Sequence, residues 1–203
     1  MEKKYKTVKE GNMLRIIALK RLGEFDQVVK GDKGGLIEKE ENLSQEGDCW
    51  VFEDAQVSGN AQVYEDAFVL ESACVSGNAK VYGNACVTEK AQISGNARVY
   101  GEALICENAT VYENARVFGD AYILGNAQVY GKADIYGEAQ ISGNAEIFGD
   151  ASVSGNAKIS GNARISGDAE IYGDAKVFEN AKIYGKAKVG RKANIGGNME
   201  VSL

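Results

Sequence analysis

The most regular feature of the chain is the six-residue spacing of its hydrophobic positions. Every sixth residue from Val51 to Val201 is Val or Ile, which makes 26 positions without a slip. Alanine lies four residues after the first 24 of them, from Ala55 to Ala193, and Met199 breaks the series in the last unit. In the order Ala-x-Val-x the two apolar residues are two apart, and strand side chains alternate between faces. Each unit therefore predicts a short strand with its apolar side chains inside and the x residues outside.

The two positions between successive strands carry turn residues. The first is Gly in 17 of 25 units, and the second is Asn or Asp in 18 of 25. These residue types tolerate a left-handed backbone, so both positions predict a corner. A corner every six residues leaves no room for a helix or a hairpin. The chain is therefore predicted to coil, with each turn hydrogen-bonded to the next.

Composition and charge exclude several classes of function. The 203 residues contain no His, so they supply no imidazole base and no histidine metal ligand. The net charge of −6 argues against a nucleic-acid-binding surface. No run approaches the roughly 18 apolar residues of a membrane span, and the first five residues lead into no signal-like segment. We expect a cytoplasmic protein with no cofactor, no metal, and neither membrane nor nucleic acid as a partner.

The unit (Val/Ile)-x-Gly-Asn-Ala-x resembles the hexapeptide repeat of left-handed parallel β-helices, although Gly follows the aliphatic residue by two positions instead of one. The resemblance covers residues 47–203 and implies a left-handed triangular prism with three units per 18-residue coil. The segments GDKGGLIE (31–38) and NLSQEGDCW (42–50) narrow it to YdcK-type β-solenoid proteins, a bacterial and phage-associated group. We expect an all-β solenoid of about 8–9 coils with a small β-rich cap formed by residues 1–46.

When every third strand is placed on one face, an apolar strip emerges on the outside of five coils. A contiguous apolar surface of this length is too large to leave in water. Either the N-terminal cap covers it or another copy of the chain does, and both alternatives stay open. The resemblance favours a trimer over a dimer, because hexapeptide β-helices are commonly trimers. The apolar strip consists of Trp50, Phe52, Phe68, Leu70, Cys86, Leu104, Cys106, Tyr122 and Leu124.

A second face repeats an aromatic residue at the same outward position, with cations beside it. Aromatic rings at strand spacing next to cations indicate a surface for a ligand or a protein partner. The alternative is that an in-register ladder of rings only stabilises the face. Ser154 interrupts the series before Tyr172. The predicted ligand face consists of Tyr64, Tyr82, Tyr100, Phe118 and Tyr136, with Arg98 and Arg116.

Enzymatic chemistry has little support in the sequence. The resemblance implies acyl transfer, because many hexapeptide β-helices are acyltransferases, but their usual base is a His. Cys86 and Cys106 are interpreted as small hydrophobic residues, because a nucleophilic Cys needs a base partner. We assign no catalytic residue and expect a non-enzymatic β-solenoid scaffold or protein-interaction module. The alternatives are a divergent acyltransferase-like protein with its site at a subunit interface, and an acidic phage-type protein that sequesters a host factor.

Overall fold

A computed structural model describes residues 3–23 and 28–203 of the chain. Apart from one 3₁₀ turn at Glu40–Asn42, the regular structure of these residues is all β. Three sheets run along one solenoid of about nine coils, and the coil strands pair in parallel with the strands 18 residues away. The predicted parallel β-solenoid is confirmed, and its left-handed sense stays a prediction. Residues 1–2 and 24–27 of the predicted cap lie outside the described residues.

Each coil contributes one short strand to each sheet, and we name the sheets by what they carry. The strip sheet has nine strands: Trp50–Val51, Phe68–Val69, Cys86–Val87, Leu104–Ile105, Tyr122–Ile123, Gln140–Ile141, Lys158–Ile159, Lys176–Val177 and Asn194–Ile195. The ladder sheet has eight: Gln62–Val63, Lys80–Val81, Arg98–Val99, Arg116–Val117, Asp134–Ile135, Ser152–Val153, Glu170–Ile171 and Lys188–Val189.

The head sheet has twelve strands. It joins the coils to the N-terminal head, by which we mean the described residues of the predicted cap, 3–23 and 28–46. Its first three are β1 (Tyr5–Glu10), β2 (Met13–Ala18) and β3 (Lys33–Ile37), which pair antiparallel with one another. The coil strands of this sheet follow: Gln56–Val57, Cys74–Val75, Gln92–Ile93, Thr110–Val111, Gln128–Val129, Glu146–Ile147, Arg164–Ile165, Lys182–Tyr184 and Glu200–Ser202.

The interior of the solenoid consists of the Val or Ile and the Ala of each unit. From Val51 to Ala187 these side chains are fully or almost fully buried. Burying a Val or Ile contributes roughly 1.5–3 kcal/mol before the cost of ordering the chain, so this column drives the coiling. Met199 and Leu203 are larger than the repeat demands, which predicts that they plug the last coil. Both residues are instead largely exposed, at 51% and 86%, so the structure does not bury them there.

Only the first of the two corner positions is left-handed. All 25 of these residues have φ between 51° and 75°, including seven Glu and Arg191. Glycine suits this position because it adopts a positive φ without strain, and also because the backbones of successive corners approach closely. A Cβ added at Gly119 would lie 3.0 Å from the amide nitrogen of Gly137 in the next coil. Where Glu occupies this corner and Gly occupies the same corner of the next coil, the Glu carboxylate can reach the Gly amide. The Oε2 of Glu113 accepts a hydrogen bond from the backbone N–H of Gly131 at 2.9 Å.

The second corner position holds the coils together through its side chains. The Nδ2 of Asn144 donates to the Oδ1 of Asn162 at 3.0 Å, and similar bonds repeat from coil to coil. Asparagine was predicted here for its backbone tolerance, but the structure uses its side-chain amide. Two such ladders run along the corners, one through Asn60, Asn78, Asn96 and Asn114, the other through Asn108, Asn126, Asn144, Asn162, Asn180 and Asn198.

The solenoid register begins inside the segment predicted as the cap. Strand β3 pairs in parallel with Gln56–Val57, so that Ile37 lies beside Val57. Leu43 forms a parallel bridge with Val63 in the same way. The head therefore continues the coils directly instead of forming a separate unit.

A buried lysine anchors the head to the first coil. The Nζ of Lys4 donates to the carbonyl oxygen of Cys49 at 2.8 Å and lies 3.0 Å from its Sγ. Burial lowers the pKa of Lys4, and the neighbouring Cys49 opposes this shift. The hydroxyl of Tyr5 donates to the carbonyl oxygen of Leu43 at 2.7 Å. These contacts fix the first head strand across the end of the solenoid.

Candidate functional site: the outer faces of the solenoid

The structure brings the predicted apolar strip together on the outside of the strip sheet. Parallel pairing stacks Phe68, Cys86, Leu104 and Tyr122 in one column, each directly opposite the next. Trp50 begins this column, because it lies opposite Phe68. The other members form a second column beside the first, two positions later in the chain: Phe52, Leu70, Cys106 and Leu124. The strip therefore covers the N-terminal five coils of this face.

In the described part of the chain, Trp50 is the one strip residue that is fully buried, and the head packs against it. Trp50 is 1% exposed, and the ring of Tyr5 packs edge-on against it with centroids 6.2 Å apart. Phe52 and Phe68 also meet edge-on, at 5.6 Å. Of the other members, Tyr122 is 41% exposed and the rest are half-buried. The strip members beyond Trp50 therefore keep part of their surface exposed on the described chain.

The two strip cysteines are protonated thiols at neutral pH. Burial raises the pKa of Cys86, with a smaller contribution from the charge of Glu71. Burial also raises the pKa of Cys106 to about 11, and the carboxylates of Glu89 and Glu107 add to the shift. A reactive cysteine needs the opposite environment, with a lowered pKa. These side chains serve as small apolar groups of the strip.

The aromatic residues of the ladder sheet form a continuous stack. From Tyr64 to Tyr136 the five rings lie 4.8–5.1 Å apart with planes within 6° of parallel. This spacing equals the distance between strands, so each ring covers the face of the next. Such stacked pairs contribute about 0.5–1.5 kcal/mol each beyond their buried area. The alternative interpretation, that the ladder stabilises the face, agrees with this geometry.

The predicted cations of this face have different surroundings. Arg116 pairs through both its Nε and a terminal nitrogen with the carboxylate of Asp134, at 2.6 Å for Nε. Arg98 lies near enough to Tyr64 and Tyr82 for its charge to lower their pKa values, although burial raises them more. Both arginines line a recess of about 520 Å³ with Asn96 and Asn114.

Comparison with known proteins agrees with this architecture. A family model described as the YdcK beta-solenoid repeat matches residues 91–107 and 139–155. The coils described above contain both matched segments. The protein is a β-solenoid whose repeats are similar to the YdcK type. A comparison with curated proteins found no match.

The YdcK-like solenoid carries a second aromatic ladder, whose residues the sequence places on one face but to which the sequence analysis gave no role. On the head sheet the rings of Tyr112, Tyr130 and Phe148 stack at 4.8–5.0 Å. The signal was the 18-residue spacing of these residues, which equals that of the first ladder. The second ladder is also interrupted by a serine, Ser166, before Tyr184.

The described residues of the YdcK-like solenoid contain neither a membrane-spanning helix nor a cluster of metal-binding side chains. No helix of residues 3–23 or 28–203 is long and apolar enough to cross a membrane. In the same ranges no three His, Cys, Asp or Glu side chains group together in a way that suits a metal ion.

Proposed function

We propose that this YdcK-like solenoid is a non-enzymatic scaffold or interaction module that self-associates through its apolar strip. The observation that carries the proposal is the half-buried state of the strip beyond Trp50. Side chains such as Leu70 and Leu104 retain apolar surface in water. A second copy of the chain would cover that surface, and a trimer is the assembly we expect.

The composition of the strip fits a self-complementary interface. Its members are aromatic, aliphatic or thiol side chains, which are typical of the desolvated centre of a subunit contact. Each additional Å² of apolar surface removed from water contributes about 25 cal/mol. Along the same sheet the outward residues become polar, with Gln140, Ser142, Lys158 and Ser160. The interface would therefore end between Leu124 and Gln140.

The scaffold proposal is also consistent with the chemistry of the strip. The raised pKa values of Cys86 and Cys106 do not suit nucleophilic catalysis. The side chains that line the coils are repeated rather than converging on one point. A surface of this kind presents contacts at regular intervals, which suits binding better than catalysis.

Replacing Phe68, Leu70 and Leu104 with Asp tests this proposal. Three carboxylates in a desolvated contact are strongly unfavourable, so the assembly should dissociate to monomers. Light scattering after size-exclusion chromatography would measure the mass of both proteins, and circular dichroism would confirm that the variant is folded.

The matched control adds the same charge outside the strip. The variant Q140D/S142D/S160D carries its three carboxylates on the polar part of the same sheet and should keep the wild-type mass. A monomeric wild-type protein would contradict the proposal. So would a folded strip variant that retains the oligomeric mass.

A further inference from the structure

The interruption of the ladder at Ser154 leaves an open slot on the ladder sheet. Tyr136 stacks on Phe118 on one side only, and the next ring along the column is that of Tyr172, two coils on. Two strand spacings separate their strands by about 10 Å, which leaves room for one stacked ring. The rings that border the slot are 36% and 43% exposed.

Short and acidic side chains line this slot. Ser152 and Ser154 form its floor, in a recess of about 670 Å³ that both tyrosines border. Three carboxylates complete the lining: those of Asp150, Asp168 and Glu170. The slot therefore combines aromatic faces with negative charge.

Two of the three carboxylates already have a cation nearby. Glu170 pairs with Lys188 at 2.8 Å, and Asp150 lies 3.7 Å from the Nζ of Lys132. Asp168 has no ion pair or side-chain hydrogen bond within the described part of the chain. The carboxylate of Asp168 is therefore available to pair with one positively charged group.

The other interrupted ladder shows what such a slot accepts. At Ser166 on the head sheet, the Cζ of Arg164 lies 5.5 Å from the ring centroid of Phe148. The same guanidinium pairs with Glu146 at 3.0 Å. A planar cation of this chain therefore occupies the place beside the ring, held by an aromatic face and a carboxylate.

The two interruptions differ in the residue two positions before the serine. Arg164 and Ser152 both lie two residues before the interrupting serine, so they are equivalent in the repeat. The head-sheet slot is filled from within the chain because Arg164 is long. The ladder-sheet slot is open because Ser152 is short.

We propose that the Ser154 slot binds one planar cation from outside the chain, either the guanidinium of an arginine-containing peptide or a small aromatic cation. The cation would stack between Tyr136 and Tyr172 and pair with Asp168. This site lies on a different sheet from the apolar strip and does not depend on self-association. Cation–π contacts and a charge-assisted hydrogen bond supply the affinity, so planarity and charge are both required.

Titration of the full-length, ¹⁵N-labelled protein with benzamidinium tests the requirement for positive charge. Benzamide has the same planar shape without the charge and should bind about tenfold more weakly. The amide signals of Ser152, Ser154 and Tyr172 should shift together. N-acetyl-arginine methylamide is the second probe, and it separates the two sources of the cation. Shifts with this probe assign the site to arginine of a peptide, and shifts with benzamidinium alone assign it to aromatic cations.

Two substitutions that the repeat itself uses should close the slot. Ser154→Tyr restores the missing ring, and Ser152→Arg supplies the internal cation found at position 164. Both should abolish the benzamidinium shifts, while Ser160→Tyr on the strip sheet should leave them unchanged. The proposal is overturned if neither cationic probe shifts these signals. It is equally overturned if benzamide binds as well as benzamidinium, or if the shifts persist in both closed variants.

Discussion

The strip sheet and the ladder sheet share one interior and differ only in what they turn outward. Beneath both, the same Val or Ile and Ala columns are buried. On the ladder sheet each ring from Tyr64 to Tyr136 is covered by its neighbour at 4.8–5.1 Å. On the strip sheet, Phe, Cys and Leu of unlike shape follow one another, and among the described strip residues only Phe52 and Phe68 make a ring contact with each other.

This difference separates stabilisation within the chain from association between chains. The three inner rings, Tyr82, Tyr100 and Phe118, already contact a neighbour on both faces, so a partner would reach only their edges. A strip side chain such as Leu104 keeps apolar surface exposed, so a partner would remove that surface from water. The solenoid can therefore carry two apolar faces with different roles.

The largest expected effect tests the shared interior. Ile105 lies beneath the strip and Ile135 beneath the ladder, and both are fully buried. Replacing either with Ala leaves a cavity and should cost about 2–5 kcal/mol of unfolding free energy. Urea unfolding at a fixed protein concentration would measure both losses. A loss at Ile105 well below that at Ile135 would show that the two interiors are not equivalent.

A smaller effect distinguishes the two outer faces directly. Tyr100→Ser interrupts the ladder and should cost about 1–3 kcal/mol of stability for two lost stacking contacts, without changing the oligomeric mass. Leu104→Ser should instead weaken association by about tenfold, equivalent to about 1.4 kcal/mol, with a lesser effect on unfolding of the dilute protein.

Measuring both association and stability for both variants separates the roles of the two faces. Sedimentation velocity over a concentration series would report association, and thermal unfolding of dilute samples would report stability. If Tyr100→Ser dissociates the protein while Leu104→Ser does not, the assignment of roles to the two faces is reversed.

The interior could be predicted from the sequence because each unit repeats the same local physics. Val or Ile and Ala at fixed spacing specify an inward face, and the left-handed corner follows within the same six residues. Stacking of residues 18 apart also requires three units per coil, which the resemblance to hexapeptide β-helices implies and the spacing alone does not. The repeat and the resemblance together allow the strip and the ladder to be placed residue by residue.

Features that depend on one long-range contact could not be predicted in this way. Lys4 is a charged residue in a polar segment, and its burial depends on carbonyl oxygens 42–45 residues away. The filling of the slot beside Ser166 depends on the conformation of the Arg164 side chain, for which the repeat has no signal. The asparagine ladders were missed for a different reason, since Asn favours corners for its backbone as well as for its amide.

The smallest expected effect concerns the chemistry of one strip residue. Burial raises the pKa of Cys106 to about 11, so at pH 8 only about one thiol in a thousand is ionised. Because the thiolate is the reactive form, alkylation by iodoacetamide should be slow at pH 8 and rise about tenfold per pH unit. Mass spectrometry of the labelled peptide would measure the rate across pH.

Glu107→Gly refines this test at the same site. Glycine is the commonest residue at this corner, and the substitution removes one of the carboxylates that raise the pKa of Cys106. Since burial is the larger cause, the labelling rate at pH 8 should increase less than tenfold. A wild-type rate that is half-maximal near pH 9 would mean that Cys106 is not desolvated. The strip would then be more open to water at this coil than its packing indicates, and a weaker site for a second subunit.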